Sequence, residues 1–437
     1  MNYIPLQLTI VYRSIKTLIP YANNARKHSK AQISKLITAL KAYGWTNPII
    51  IDEHGTVLCG HGRLQAANEM GLTEVPTIQL SHMTDAQKRA YIIADNRIAE
   101  QGSWSKTLLR SELQGLIDVG YEAELTGFDT LEIDTLLNLD DPGDKVDDDV
   151  HLPDGRVPIS QLGDLWHIGQ HRLIVGDARE PLVYERLLAG ERAQLVFTDP
   201  PYGCRVENNV SGNGRVKHGD FVEGATGVLD SGFSMGLLRP ALKCIAVNCL
   251  PGAIAFVCID WRGAPFLLDA VQGVFHETKN LIVWAKTNAG QGAFFRSQHE
   301  LVYAFKVRPG KHINTFGLGG SGRHRSNIWT YAGANVFRAG RMQDLTDHPT
   351  VKPKKLVADA ILDCSTRGSI VLDSFAGSGT TLVSAEMTGR RGYGIELDPK
   401  YADVIIRRVE EEVGAPALLD GVTPFGDVAV TRGVPTV

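Results

Sequence analysis

The sequence predicts two α/β domains, a smaller one first and then a larger one built on a doubly wound, mainly parallel sheet. Three observations carry that prediction. The chain has 437 residues, which at roughly 150 per domain means two or three domains. Apolar strand-like runs alternate with helical periodicity along most of it. Between them lies an acidic, turn-rich stretch, Asp140-Asp141-Pro142-Gly143-Asp144 through Asp149, too poor in large apolar side chains to order itself. The predicted boundaries are 1–140 for the first domain with a helical extension, 141–158 for the linker, 159–415 for the second domain and 416–437 for a C-terminal tail.

In the first domain, Ile33, Leu36, Ile37 and Leu40 recur at helical spacing and stop at Gly44. Pro48–Ile51 and Thr56–Leu58 read as strands around a turn at His54-Gly55. A helix from Arg63 to Met70 ends at Gly71, a strand follows at Val75–Leu80, and a longer helix covers about Asp85–Glu100. After the linker, strands are predicted at Leu173–Val175, Leu195–Thr198, Ile254–Ile259, Leu281–Trp284, Leu301–Phe305, Ile370–Leu372 and Gly392–Ile395. Their continuous apolar character implies burial on both faces, as in a parallel sheet. Such sheets bind ligands at the carboxyl ends of their strands.

Composition narrows the class. With 43% hydrophobic and 22% charged residues, 45 Gly and 20 Pro, the chain is neither collagenous nor disordered. Its six cysteines form no C-x-x-C and have no histidine at ligand spacing, so reduced thiols in a cytoplasmic protein without a metal site are expected. The apolar stretch Cys244–Ile259 is interrupted by Asn248, Pro251 and Gly252, and the N-terminus lacks a signal-peptide core, so no membrane association is expected.

Two motifs sit at predicted strand ends in the second domain. The first is Asp199-Pro200-Pro201-Tyr202, directly after Leu195–Thr198. The prolines fix φ and hold their carbonyls in set directions. Asp199 and the Pro200 carbonyl can each accept an N–H from a planar exocyclic amine, while Tyr202 stacks on its ring, worth about 1–3 kcal/mol per base. Alone, Asp-Pro-Pro reads as a capped turn; Asp-Pro-Pro-Tyr directly after such a strand favours the amine site. The second motif runs Asp373-Ser-Phe375-Ala-Gly377-Ser-Gly379-Thr380, then a helix, a strand and Glu396, 23 residues beyond Asp373. Glycines at a helix N-terminus let backbone N–H groups approach a ligand, and an acid at about this spacing suits ribose hydroxyls. Leu382 stands where the third glycine of a dinucleotide fingerprint belongs, which disfavours a nicotinamide enzyme.

Together these motifs resemble the amino-methyltransferases of DNA, in the permuted order of their β group. Gly176-Asp177, Trp284-Ala-Lys286, His299-Glu300, Asn327-Ile-Trp329 and His348-Pro-Thr350-Val-Lys352-Pro353 agree with it, over about residues 160–412. The resemblance implies a Rossmann-like methyltransferase domain using S-adenosylmethionine and needing no metal. Asp199, Pro200, Pro201 and Tyr202 would then hold the target amine and stack on a flipped base. Asp373, Phe375, Gly377, Gly379 and Thr380 would surround the cofactor, with Glu396 on its ribose and Asp177 near its adenine. Thr350 and Lys352 belong to the family's remaining cofactor motif.

Charge adds a partner. From Lys286 to Lys355 there are 12 Lys/Arg against Glu300, Asp344 and Asp347. In the permuted order this block is where target recognition is expected, so Arg296, Arg323, Arg325, Arg338 and Arg341 are candidate contacts to double-stranded DNA. Lys306, Arg308 and Lys311 lie in the same block, and Gly317, Gly319, Gly320 and Gly322 would let a loop follow a groove. With about six phosphate contacts, log K against log salt should slope near −5. The stretch Arg205–His218 is a candidate loop to close over the base.

In the first domain, Cys59-Gly60-His61-Gly62-Arg63 joins a strand to a helix N-terminus, either a tight turn or a phosphate site with Arg63 as donor. With Asn24-Ala-Arg26-Lys-His28 and Asn47-Pro48-Ile49, it resembles the nucleotide-binding domain shared by ParB chromosome-partition proteins and sulfiredoxins. The resemblance implies a nucleoside triphosphate at Gly60, His61 and Arg63. No helix-turn-helix is legible after it, which argues against centromere-type DNA binding, and His61 replaces the sulfiredoxin cysteine.

The leading expectation is adenine-N6 methylation of duplex DNA, with Asp at 199 favouring adenine over cytosine-N4. A nucleotide-gated DNA-binding module with a non-catalytic methyltransferase domain is the alternative of a different class, and an RNA or protein-amide methyltransferase is a third. A homodimer is compatible with the sequence, which fixes no assembly. Such fusions belong to DNA modification and restriction-modification in phages and mobile elements.

Overall fold

A computed structural model describes residues 7–137, 157–201, 232–287, 294–316, 325–331 and 352–434. The chain forms two compact units, divided between Asp140 and Asp141. The predicted linker lies almost wholly outside the described residues.

The first unit contains β1 (Ile10–Ser14), β2 (Ile19–Pro20), α1 (Lys30–Tyr43), β3 (Ile49–Ile51), β4 (Thr56–Cys59), α2 (His61–Glu69), β5 (Glu74–Gln79) and α3 (Asp85–Ala99). Its sheet has the order β1-β5-β3-β4-β2. The core is a small set of branched and aliphatic side chains, Leu18, Ile49, Ile51, Val57, Leu64, Ala67 and Val75. Helix α1 starts where the Ser29 side chain accepts from the Gln32 N–H and stops at Gly44, whose φ is 74°. Helix α3 opens with a reciprocal Thr84–Gln87 capping box. Beyond it, α4 (Lys106–Asp118), a short 3₁₀ turn (Ala123–Thr126) and α5 (Thr130–Leu137) enclose a separate core of Leu113, Ala123, Ile133 and Leu137.

The second unit begins with β6 (Leu165–Ile168), β7 (His171–Val175), α6 (Pro181–Leu188) and β8 (Ala193–Thr198). It continues through α7 (Arg239–Asn248), β9 (Cys249–Ile259), α8 (Ala264–Val271), β10 (Glu277–Lys286), β11 (His299–Lys306) and β12 (Ile328–Tyr331). Then come α9 (Lys354–Cys364), β13 (Ile370–Asp373), α10 (Thr380–Met387), β14 (Arg391–Glu396) and α11 (Pro399–Val413), and last β15 (Ala417–Leu419), β16 (Thr423–Pro424) and α12 (Phe425–Thr431).

The eleven strands form one sheet in the order β12-β10-β11-β9-β8-β13-β14-β7-β6-β15-β16. Its centre, β9-β8-β13-β14-β7, is parallel. The flanks turn antiparallel at β9/β11, β10/β11, β6/β7 and β6/β15. Apart from the parallel β10/β12 pair at one edge, parallel pairing is therefore a property of the middle, where both faces are covered. Along β8, Val196 points to the side of α6 and α7, while Leu195 and Phe197 point to the side of α9. A strand buried on both faces has no polar alternation, which is why these segments read as unbroken apolar runs.

The C-terminal residues are not a tail. Strand β15 pairs with β6, and Phe425, Val428 and Ala429 are buried in the same cluster as Trp166 and Ile406. The Arg432 guanidinium bonds to the Asp164 carboxylate and the Ile159 carbonyl. Strands of three and two residues are too short to show a period, so this segment looks structureless in sequence. Because the central strands run the same way, the residues after β7, β8, β9, β13 and β14 all emerge on one edge. The chain reaches β13 only after β8 and β9, so β8 and β13 meet at a switch point.

Candidate active site

Asp199 and Pro200 follow β8 on that edge, Asp199 partly exposed and Pro200 buried. Asp199 Oδ2 accepts from the ammonium of Lys352. Lys352, 5% exposed, also lies 3.2 Å from Glu300 Oε2 at the start of β11. Glu300 Oε1 in turn accepts from Lys286 Nζ at 2.5 Å, at the end of β10. Lys286 Nζ sits 4.8 Å from the centroid of Trp284, whose indole N–H donates to the Tyr331 carbonyl. Two cations and two anions thus alternate at the strand ends. Burial pushes the Glu300 carboxyl up, but Lys352 and Lys286 outweigh it and bring it down to about 2. Burial likewise disfavours the charged Lys352, and Asp199 and Glu300 reverse that and hold its pKa above the usual lysine range.

Asp373, at the end of β13, is buried and bonded throughout. Its Oδ1 accepts from Thr198 Oγ1 at 2.8 Å and the Phe375 N–H at 3.1 Å, and its Oδ2 from Thr381 Oγ1 at 2.6 Å. Burial raises its pKa to about 6 in spite of these donors. The carboxylate ties the end of β8 to the glycine turn. In that turn Gly377 and Gly379 have φ of 53° and 80°, and a Cβ on Gly379 would meet Ile405 Cγ2 at 2.9 Å. Ser378 and Thr380 share a hydrogen bond of 3.1 Å, and Phe375 is partly exposed. The missing third glycine also has an explanation. Leu382 lies against Gly392 and Gly394, where a Cβ would come within 2.7 Å and 3.0 Å of it. Close packing of helix on strand is achieved by glycines on the strand instead of on the helix.

Glu396 ends β14. Its Oε2 accepts from the Gly377 N–H at 2.8 Å and its Oε1 from the Asp398 N–H at 2.9 Å. Burial raises it to about 7 against those two bonds. Asp177, after β7, is held by its neighbour: the Arg179 backbone and guanidinium N–H groups all donate to it.

Asp199, Pro200, Pro201, Asp373, Phe375, Gly377, Gly379, Thr380, Glu396 and Asp177 therefore lie on one sheet edge. Tyr202, Thr350, Arg323, Arg338, Arg341, the whole of 205–218, and Gly317, Gly319, Gly320 and Gly322 fall outside the described residues. Arg296 is exposed, as a DNA contact requires. Arg325 is not: its Nε bonds to Asp363 at 2.8 Å, Nη1 bonds to the Tyr331 hydroxyl at 3.1 Å, and its guanidinium lies 4.6 Å from the Trp329 ring. That assignment is corrected, because an arginine so engaged holds the domain together rather than facing a phosphate. Lys306 and Arg308 are likewise engaged, with Glu277 and the Cys249 carbonyl. The roles of Lys286, Glu300, Thr198 and Thr381 were not visible in sequence. The signals were the stretches Trp284-Ala-Lys286 and His299-Glu300 that agree with the family, a charged pair at otherwise apolar strand ends.

In the first unit, Gly60 caps α2 with φ of 97°. His61 Nε2 accepts from the Tyr21 N–H at 3.3 Å, and burial, then the nearby His28, lower its pKa. Gly62 lies beneath the His28 ring, where a Cβ would meet Cε1 at 3.1 Å. Arg63 is partly buried, and Arg26 pairs with Glu100. The two sequence motifs thus meet around the start of α2. Among the described residues the cysteines are free thiols, no cluster of three metal-ligating side chains occurs, and no helix is long and apolar enough to cross a membrane.

Fold and site together define an α/β methyltransferase domain preceded by a second α/β unit. A family model described as DNA methylase matches residues 193–407, and the ParB N-terminal domain matches residues 7–97. A ParB-methyltransferase HTH domain matches residues 107–162, which overturns the expectation that no helix-turn-helix follows. Among the described residues its helices are α4 and the eight-residue α5, and left-handed glycines at 120 and 127 break the pattern between them. The ParB-like nuclease domain-containing protein YnaK of Escherichia coli (strain K12) is 49% identical over 83 residues, 19% of this chain and 95% of that protein. Type II methyltransferase M.HinfI of Haemophilus influenzae is 27% identical over 263 residues, 55% of this chain and 68% of that one. The DNA adenine methyltransferase YhdJ of E. coli is 38% identical over 84 residues, 19% of this chain and 27% of its own length. Residues 193–407 thus form a domain of the N6/N4 DNA methylase family, fused in this chain to a ParB-like N-terminal domain.

Proposed function

We propose that this protein methylates the exocyclic N6 of adenine in duplex DNA, using S-adenosylmethionine. The observation that carries the reading is Asp199-Pro200 at the switch point, joined through Thr198 and Asp373 to the glycine turn. An amine bound at Asp199 would thus lie beside the turn that holds the methyl donor. The residues present suit that donor. Glu396 offers a carboxylate bonded to two backbone N–H groups, a set that accepts hydroxyl donors. Phe375, Gly377, Gly379, Thr380 and Asp177 complete the proposed cofactor set. When bound, S-adenosylmethionine supplies a methyl group already activated on a sulfonium.

The chain's own part is to orient and desolvate. Asp199 accepts one N–H of the amine and the Pro200 carbonyl the other, which draws the nitrogen lone pair out of conjugation and leaves it facing the donor. A flipped base must be paid for in unstacking, about a few kcal/mol, and stacking on Tyr202 offsets part of that. Arg296, Arg323, Arg338 and Arg341 are proposed as DNA contacts. Adenine is preferred because Asp, not Ser, occupies position 199, and the name of the relative YhdJ agrees. Methyl transfer from labelled cofactor to unmethylated duplex DNA, with product nucleosides resolved by mass, tests this. N6-methyladenine is expected. N4-methylcytosine would move the substrate, and no transfer by folded, cofactor-binding protein would end the reading.

At the first unit, Gly60, His61 and Arg63 at the start of α2 are proposed to bind a nucleoside triphosphate. Saturable binding of one of the four at millimolar concentration or below is expected in calorimetry, and its absence for all four removes the proposal.

A further inference from the structure

We propose that Lys352 is a positioning residue that fixes the orientation of the Asp199 carboxylate, with Glu300 as its second anchor, rather than a ligand of the cofactor. The inference rests on Asp199 being the acceptor of the target amine.

Four observations support it. Lys352 is buried, so its ammonium must be satisfied by protein groups. Those groups include Asp199 Oδ2 and, at 3.2 Å, Glu300 Oε2. Glu300 is itself pinned by Lys286, so the anchor does not swing. Finally, Pro353 caps α9, whose Leu356 and Val357 are fully buried, and this fixes the backbone from which Lys352 extends.

The chemistry follows from geometry. A carboxylate at the end of a strand can rotate about its last bond, and an amine acceptor must hold one direction. With one oxygen committed to Lys352, the plane of the Asp199 carboxylate is set before any base arrives. The network is balanced, two cations against two anions, so removing one member leaves a buried charge without its partner. The family resemblance places Lys352 in a cofactor motif; its partners here lie on the amine side.

The test compares wild type with Lys352→Met, Lys352→Arg and Glu300→Gln. Three quantities are measured: kcat at saturating DNA and cofactor, the Kd for S-adenosylmethionine, and thermal melting. For Lys352→Met, kcat should fall about 100-fold while the cofactor Kd stays within about threefold, and Lys352→Arg should recover at least about tenfold of that loss. A cofactor Kd weakened more than about tenfold with kcat at saturation preserved would instead make Lys352 a cofactor ligand and overturn the proposal. Unchanged kcat and Kd would overturn it too. Should Lys352→Met not fold, Glu300→Gln decides. Glu300 pairs with Lys352 and Lys286, so a lower kcat with unchanged cofactor Kd supports the proposal and an unchanged kcat sinks it. An inert wild type would be a different failure, that of the reading of Asp199 itself.

Discussion

Replacing Asp199 by alanine is expected to lower kcat for methyl transfer by about 10²–10⁴-fold while the DNA and cofactor affinities stay within about threefold. The reason is where the carboxylate sits. It stands at the end of β8, beside the Pro200 carbonyl, and the glycine turn that would hold the cofactor is built from other residues. Alanine therefore removes an acceptor for the amine without touching the groups proposed for the donor or for phosphates. It also strips Lys352 of one anionic partner, leaving Glu300, so the melting temperature should fall as well. Single-turnover methylation with equilibrium binding checks the split. Full retention of activity would place the amine elsewhere, and loss of DNA binding in parallel would make Asp199 a structural residue.

The second large effect is expected at Glu396. Glu396→Gln should weaken S-adenosylmethionine binding by about 10–100-fold, the range for losing a hydrogen bond to a charged acceptor. The amide would also turn an N–H toward the Gly377 or Asp398 N–H that the carboxylate now accepts. The wild-type dependence on pH follows from burial, which raises Glu396 to about 7 from its ordinary 4.5. Only the ionised form offers both oxygens as acceptors. Cofactor affinity should therefore tighten about tenfold between pH 6 and 8 and level off above, and Glu396→Gln should flatten the profile. The cofactor-free fold responds in the opposite sense. Its native state holds the proton more tightly than the unfolded chain, so this group's contribution to stability is greatest below 4.5 and declines as pH rises to about 7. Calorimetric titrations and melts across that range read both trends.

Much of this was legible because its chemistry is local in the chain. Asp199-Pro200 and the Asp373–Gly379 turn are contiguous strings, and the central strands advertise themselves by burial on two faces. Leu195–Thr198 is an example, found within β8. The edges were harder. In β6, Trp166 and Ile168 are buried while Leu165 and His167 are half-buried, four residues with too little contrast to stand out. The helix-turn-helix went unread because α5 is short and its core is only four residues spread over three segments. Charge counting misassigned Arg325 for a related reason. A cationic block records how many arginines there are, and not that this one folds back on Asp363. The Lys286–Glu300–Lys352–Asp199 network is the extreme case, since its members come from four separate stretches that only the sheet brings together.

The hydrogen bond from Thr198 to Asp373 spans 175 positions of chain. Contacts so distant in sequence must wait for a long loop to close, and topologies rich in them fold slowly. The strand that leads to Asp199 and the strand opening the glycine turn sit side by side in the middle of the sheet, so this late pairing is also the event that assembles the proposed site. Until β8 and β13 pair, the two strand ends are not held in register. Recovery of activity on refolding should consequently track the slowest phase of sheet formation, and a nascent chain gains the power to mark DNA only once its last strands have been made.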